Sequence, residues 1–191
     1  MRDLRSTLSR IVTATLMATM AVKAPAQTAA SFDDAVRANL ALGVELCLRH
    51  LPQVDALRAN LAAAGFTYTV EDYGAGERIH WYTAPADTAA IAVSEGQMAP
   101  DCRVTTSHMG ATDAVAFTGA VLQQRFAALN FQYGNMENTP PVTAANMGGR
   151  WEFCTGYVGW NGQRPITLAV ANDGNDPACI DDGTAQIVIA K

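Results

Sequence analysis

Histidines, cysteines, clustered carboxylates and an aromatic strand are the residues of this chain whose chemistry could be put to use. The three histidines, His50, His80 and His108, fall on separate stretches. A catalytic imidazole needs a nucleophile and an orienting group brought to it, and no spacing in the sequence names either. No G-x-S-x-G, H-E-x-x-H, phosphate-loop or dinucleotide fingerprint occurs. Cys47-Leu-Arg-His50 sets two metal-ligand types one helical turn apart, yet a closed site would need two more ligands. Asn172–Gly183 carries Asp173, Asp176, Asp181 and Asp182, oxygen ligands of the kind calcium takes. Pro177 and Ala178 break the EF-hand spacing, and Asp and Gly are what any strand connection uses. An exposed loop is therefore expected there, with calcium as the alternative, and no cofactor is expected anywhere.

The aromatic stretch is Arg150–Trp160, RWEFCTGYVGW. In a strand, Trp151, Phe153 and Tyr157 share one face, and Cys154, Val158 and Trp160 the other. Both faces are apolar. One can lie on helices; the other must be buried by something or left open. Trp81 and Ile79 share a face of an earlier strand, opposite His80 and Tyr82. Tryptophan, tyrosine and arginine dominate binding hot spots. The functional expectation is a sheet face gripping a partner through Trp151, Phe153, Tyr157 and Trp81, rimmed by Arg150, His80 and Tyr82. Against it stands the plainer reading that these aromatics fill the core.

Elements must hold these residues in place. Met1–Arg10 has three arginines, Ile11–Val22 is an uncharged apolar run, and Ala24-Pro25-Ala26 is a small-x-small cleavage pattern. Residues 1–26 therefore read as a signal peptide, cut after Ala26, and the protein is expected to be periplasmic or secreted. The apolar run is too short for a stable membrane span. Taking Arg2, Arg5, Arg10, Lys23 and Asp3 from 13 basic and 18 acidic residues leaves 9 against 17, a net of −8. With Lys191 its one lysine and its arginines scattered, the mature chain has no basic face for nucleic acid or for an anionic membrane. Four cysteines behind a signal peptide read as disulfides.

Ser31-Phe-Asp-Asp34 reads as a capping box opening a first helix that ends near His50. Pro52 stops that helix and suits the first turn of a second, with Val54, Leu57 and Leu61 as its stripe and Gly65 as its stop. Strands follow at Phe66–Val70, Arg78–Thr83, Ile91–Ser94 and Arg103–His108. One helix is then expected from Asp113 to about Leu129, followed by strands at Phe131–Tyr133, Arg150–Trp160, Ile166–Val170 and Thr184–Ala190. The dipeptide Asn161-Gly162 is the expected hairpin turn.

The chain also echoes itself. Leu57–Tyr68, LRANLAAAGFTY, aligns without gaps with Leu122–Tyr133, LQQRFAALNFQY, and Gly65 faces Asn130. Glycine and asparagine are the residues that most readily turn left-handed after a helix. Ile91–Cys102 aligns likewise with Leu168–Cys179, cysteine on cysteine. Two ordered matches predict a tandem duplication: unit one at 27–110, helix–helix–four strands, and unit two at 111–191, helix–four strands, together one compact domain. Bonding within units gives Cys47–Cys102 and Cys154–Cys179, with crossed pairing as the competitor.

The expected fold is α+β, an α-(α)-β4 unit in tandem with helices on one face of an antiparallel sheet. This topology resembles that of the tandem-repeat β-lactamase inhibitor proteins, which are secreted, disulfide-bonded and non-catalytic. The resemblance covers the architecture of residues 27–191 and brings no motif with it. The function expected is that of a non-catalytic, inhibitor-like binding module whose partner is another extracytoplasmic protein. The alternatives are an envelope-accessory structural protein, and a hydrolase or metal-binding protein whose site only folding assembles.

Overall fold

The computed structural model describes residues 31–96, 101–134, 155–162, 164–173 and 181–191. It is an α+β fold in which helices lie on an antiparallel sheet. The chain runs α1 (Phe32–His50), α2 (Val54–Ala63), β1 (Thr67–Gly74), β2 (Glu77–Thr83), β3 (Ala90–Glu95) and β4 (Asp101–Thr106), then α3 (Ala111–Arg125), β5 (Gln132–Gly134), β6 (Thr155–Asn161), β7 (Arg164–Ala171) and β8 (Ala185–Ala190). The sheet order is β1-β2-β3-β4-β8-β7-β6-β5, so β4 pairs with β8 at its centre and β1 and β5 form its edges.

The helices begin and end where local chemistry directs. The Ser31 hydroxyl accepts from the Asp34 backbone N–H, and the Asp34 carboxylate accepts from the Ser31 N–H, satisfying two donors that a helix start leaves open. Gly65 (φ 85°) and Asn130 (φ 46°) both take the left-handed conformation expected of them. Pro52 lies before α2 rather than in its first turn, since α2 opens at Val54. The expected single helix to Leu129 stops at Arg125. Phe126 leaves helical geometry (φ −134°), and Ala127–Leu129 form a 3-10 turn.

Strand register builds the core. On the helix side, one buried row runs Tyr82–Ile91–Val104–Ile187–Val170 and a second runs His80–Val93–Cys102–Ile189–Leu168–Tyr157. Val36, Leu40, Val44 and Cys47 of α1 recur at helical spacing and cover these rows with Leu57, Leu61, Val121 and Leu122. Each such side chain contributes about 1.5–3 kcal/mol on burial, so this two-layer contact dominates the favourable side. At Gly43 the layers leave no room for a side chain. A Cβ on Gly43 of α1 would stand 2.8 Å from Val104 Cγ1.

Cys47 and Cys102 stand at disulfide distance, Cα atoms 6.0 Å apart, fastening α1 to β4. This is the first of the two expected pairings; Cys154 and Cys179 lie outside the described residues. The C-terminal Lys191 donates through Nζ to the carbonyls of Leu48 and Leu51, groups that the end of α1 leaves unpaired. Burial holds its pKa below the ordinary lysine value. Among the described residues, no helix is long and apolar enough to cross a membrane.

Candidate functional site

The residues expected to form an aromatic binding face do not share one. Tyr157 lies on the helix-covered side, 7% exposed, and its hydroxyl donates to the Val115 carbonyl of α3 at 2.7 Å. Tyr82 is 1% exposed on the same side; burial, then the neighbouring Tyr68, pushes its phenol up to about 12, so it stays protonated. Both tyrosines are core residues. Alternation gave two faces per strand but did not say which one the helices would take. Trp151, Phe153 and Arg150 lie outside the described residues. Trp81 is on the face opposite α1, α2 and α3, half-buried, in the row Trp81–Ala92–Arg103–Val188–Ala169. The middle of that face is not open: Ala92, Val188 and Ala169 are buried. Trp160 is exposed, but on β6, towards the far edge from Trp81.

His80 turns out to sit in a different site. It ends the second core row on β2, 6% exposed. Its Nδ1 lies 2.9 Å from the Tyr68 hydroxyl of β1, and its Nε2 lies 2.8 Å from the Glu95 carboxylate of β3. Three neighbouring strands thus deliver a hydroxyl–imidazole–carboxylate chain. Register does this: Val70 faces His80 and His80 faces Val93, so Tyr68 and Glu95 are its diagonal neighbours, two residues along on either side. The sequence held a usable signal, since a hairpin centred on Ala75 in Gly74-Ala-Gly76 pairs Val70 with His80. Which strand follows on the other side of β2 was the part that local sequence could not give.

This chain borders an open cleft of about 950 Å³ between the start of α2 and the β1 edge. Pro52, Gln53, Val54 and Ala56 line one wall; Tyr68, Val70, Asp72, Arg78, His80 and Glu95 line the other. The Arg58 guanidinium sits over the Tyr68 ring at 5.4 Å and pairs with Asp55 at 2.5 Å. Arg78 lies within ion-pair reach of Asp72 (3.6 Å) and Glu95 (3.8 Å). Beside the cleft, every residue of β1 is exposed. Among the described residues, Tyr68, Val70 and Tyr73, at 38%, 48% and 65%, are three of the five exposed large hydrophobic side chains, all on this one strand.

The remaining candidates divide as follows. Cys47 of the Cys47–His50 pair is held in the disulfide. His108 packs edge-on against Phe32, ring centres 4.8 Å apart. In the acidic loop, Asp182 accepts from the N–H and the hydroxyl of Thr184, which holds its pKa below the ordinary value. Burial, then the charge of Asp182, raises that of Asp173. Asp181 is exposed and Asp176 lies outside the described residues. Among the described residues, no three His, Cys, Asp or Glu side chains are grouped to hold a metal.

No protein-family model matches the chain, no curated protein matches its sequence, and no solved structure matches its fold.

Proposed function

We propose that this chain is a non-catalytic, inhibitor-like binding module of the periplasm or the secreted fraction, released by cleavage after Ala26. Its contact surface is the β1 edge and the cleft beside it. The observation that carries this reading is the concentration of exposed Tyr68, Val70 and Tyr73 on an unpaired edge strand. Exposed apolar side chains rimmed by charge are what partner surfaces present. The test is capture of a partner from the extracytoplasmic fraction of the native host by the full chain. Val70→Lys with Tyr73→Lys should weaken capture roughly tenfold or more, whereas Trp160→Lys should leave it unchanged. The opposite pattern would move the site to the sheet face that carries Trp160.

The Tyr68–His80–Glu95 chain favours a second reading, a hydrolase in which His80 draws the proton from Tyr68 while Glu95 orients the ring. Turnover of aryl esters or aryl phosphates by the wild type, abolished by His80→Gln, would support it over the first.

We also infer that the fold arose by tandem duplication. Support comes from the strand order, which reads the same from both edges, and from Gly65 and Asn130, left-handed two residues before β1 and β5 respectively. Tyr82 and Tyr157 are the buried tyrosines of corresponding strands, next to Ile91 and Leu168 respectively. The cysteine match does not extend to the register. Cys102 faces Val93, but the residue facing Val170 is Ile187.

A further inference from the structure

We infer that β1 receives an extended basic segment of a partner protein as a ninth strand of the sheet. This rests on reading β1 as the contact edge and names what would occupy it. β1 is eight residues long, pairs with β2 on one side, and among the described residues ends the sheet on the other. Its outer backbone N–H and C=O groups are a template for another strand. Edges are ordinarily blunted by charged side chains (lysine above all), proline, shortness or a mid-strand bulge. Thr67–Gly74, TYTVEDYG, has no lysine and no proline; its charges, Glu71 and Asp72, and its one irregularity, between Asp72 and Gly74, all fall in its second half and leave Thr67–Val70 unblunted. The opposite edge, β5, is described over Gln132–Gly134.

The side chains state which strand would fit. Glu71 and Asp72 lie on β1 itself, with Asp55 and Glu95 nearby, against Arg58 and Arg78. Acid exceeds base, and β1 carries no base at all. An incoming strand would set one set of alternate side chains over Tyr68 and Val70 at the cleft, and the other beside Glu71 and Tyr73. Apolar residues alternating with lysine or arginine satisfy both. A second copy fits less well, because β1 carries two acids and no base, so pairing two β1 strands sets like-charged strands side by side.

The test uses the full chain and a nine-residue peptide of alternating lysine and valine. Two controls are its glutamate–valine counterpart and a lysine–valine version N-methylated along one edge, which keeps the side chains but removes those pairing donors. Hydrogen exchange of residues 67–74 is the readout. The lysine–valine peptide should slow the outward-facing amides tenfold or more, the glutamate peptide should not, and Glu71→Lys with Asp72→Lys should abolish the effect. Binding without slowed β1 amides, equal binding by the N-methylated peptide, or no binding by any peptide overturns strand addition. Concentration-dependent protection in the free protein overturns it in favour of a second copy. Crosslinking at Val70 reports the contact edge independently, so the edge can stand when strand addition fails.

Discussion

The Tyr68 hydroxyl lies 2.9 Å from His80 Nδ1, and the other nitrogen of that ring lies 2.8 Å from Glu95. One buried imidazole therefore ties the edge strand to the third strand of the sheet. His80→Ala removes two hydrogen bonds, together about 1–3 kcal/mol; Tyr68→Phe, which removes one bond, should cost about 1 kcal/mol. Urea unfolding midpoints check both. Equal costs for the two variants would mean that the ring does not bridge.

The Cys47–Cys102 link spans 55 residues of sequence. On the chain-entropy account, a loop of that length is worth about 4 kcal/mol. Replacing both cysteines with alanine should lower unfolding stability by that order. A variant as stable as the oxidised wild type would show that the fastening of α1 to β4 adds nothing.

Gly43 and Gly119 are helix positions where an added Cβ would press on the sheet. A Cβ would meet Val104 Cγ1 at 2.8 Å in the first case and the Tyr157 hydroxyl at 2.7 Å in the second. Alanine improves helix propensity by about 1 kcal/mol, but overpacking costs about 1–3 kcal/mol. Both substitutions should destabilise in thermal melts, and Gly119→Ala should also disturb the Tyr157–Val115 hydrogen bond. Stabilisation by either would mean that the layers can separate freely at that point.

Glu45 joins α1 to α3 through Arg125 and also receives Arg49. Burial pushes its pKa up, but the hydrogen bonds from Arg125 and Arg49 outweigh this and hold it below the ordinary 4.5. A carboxylate lowered on folding contributes stability that is complete above its unfolded value and is lost as pH falls through its folded value. Glu45→Gln should therefore flatten the stability profile between about pH 5 and pH 3, with the wild type losing more on acidification. Parallel profiles would remove Glu45 from the acid response.

The sequence displayed those features that neighbours along the chain decide. The Ser31–Asp34 box, the left-handed Gly65 and Asn130, and most strands could be read from a few residues each. Longer-range competition decided the rest. The hairpin turn moved one residue, because Asn161 pairs with Arg164 and Gly162 begins the loop. Phe126 and Leu129 left the helix to pack at the rim of the core. The face taken by Tyr82 and Tyr157 depended on where the helices settled, and the Tyr68–His80–Glu95 chain on a three-strand register.

The central claim, that β1 is the contact edge, is tested most directly by placing a photo-reactive amino acid at Val70, at Tyr73 or at Trp160 of the full chain in its native host. Covalent adducts with another protein are expected from Val70 and Tyr73 and none from Trp160. Adducts from Trp160 alone, or from none of the three positions, would contradict that claim.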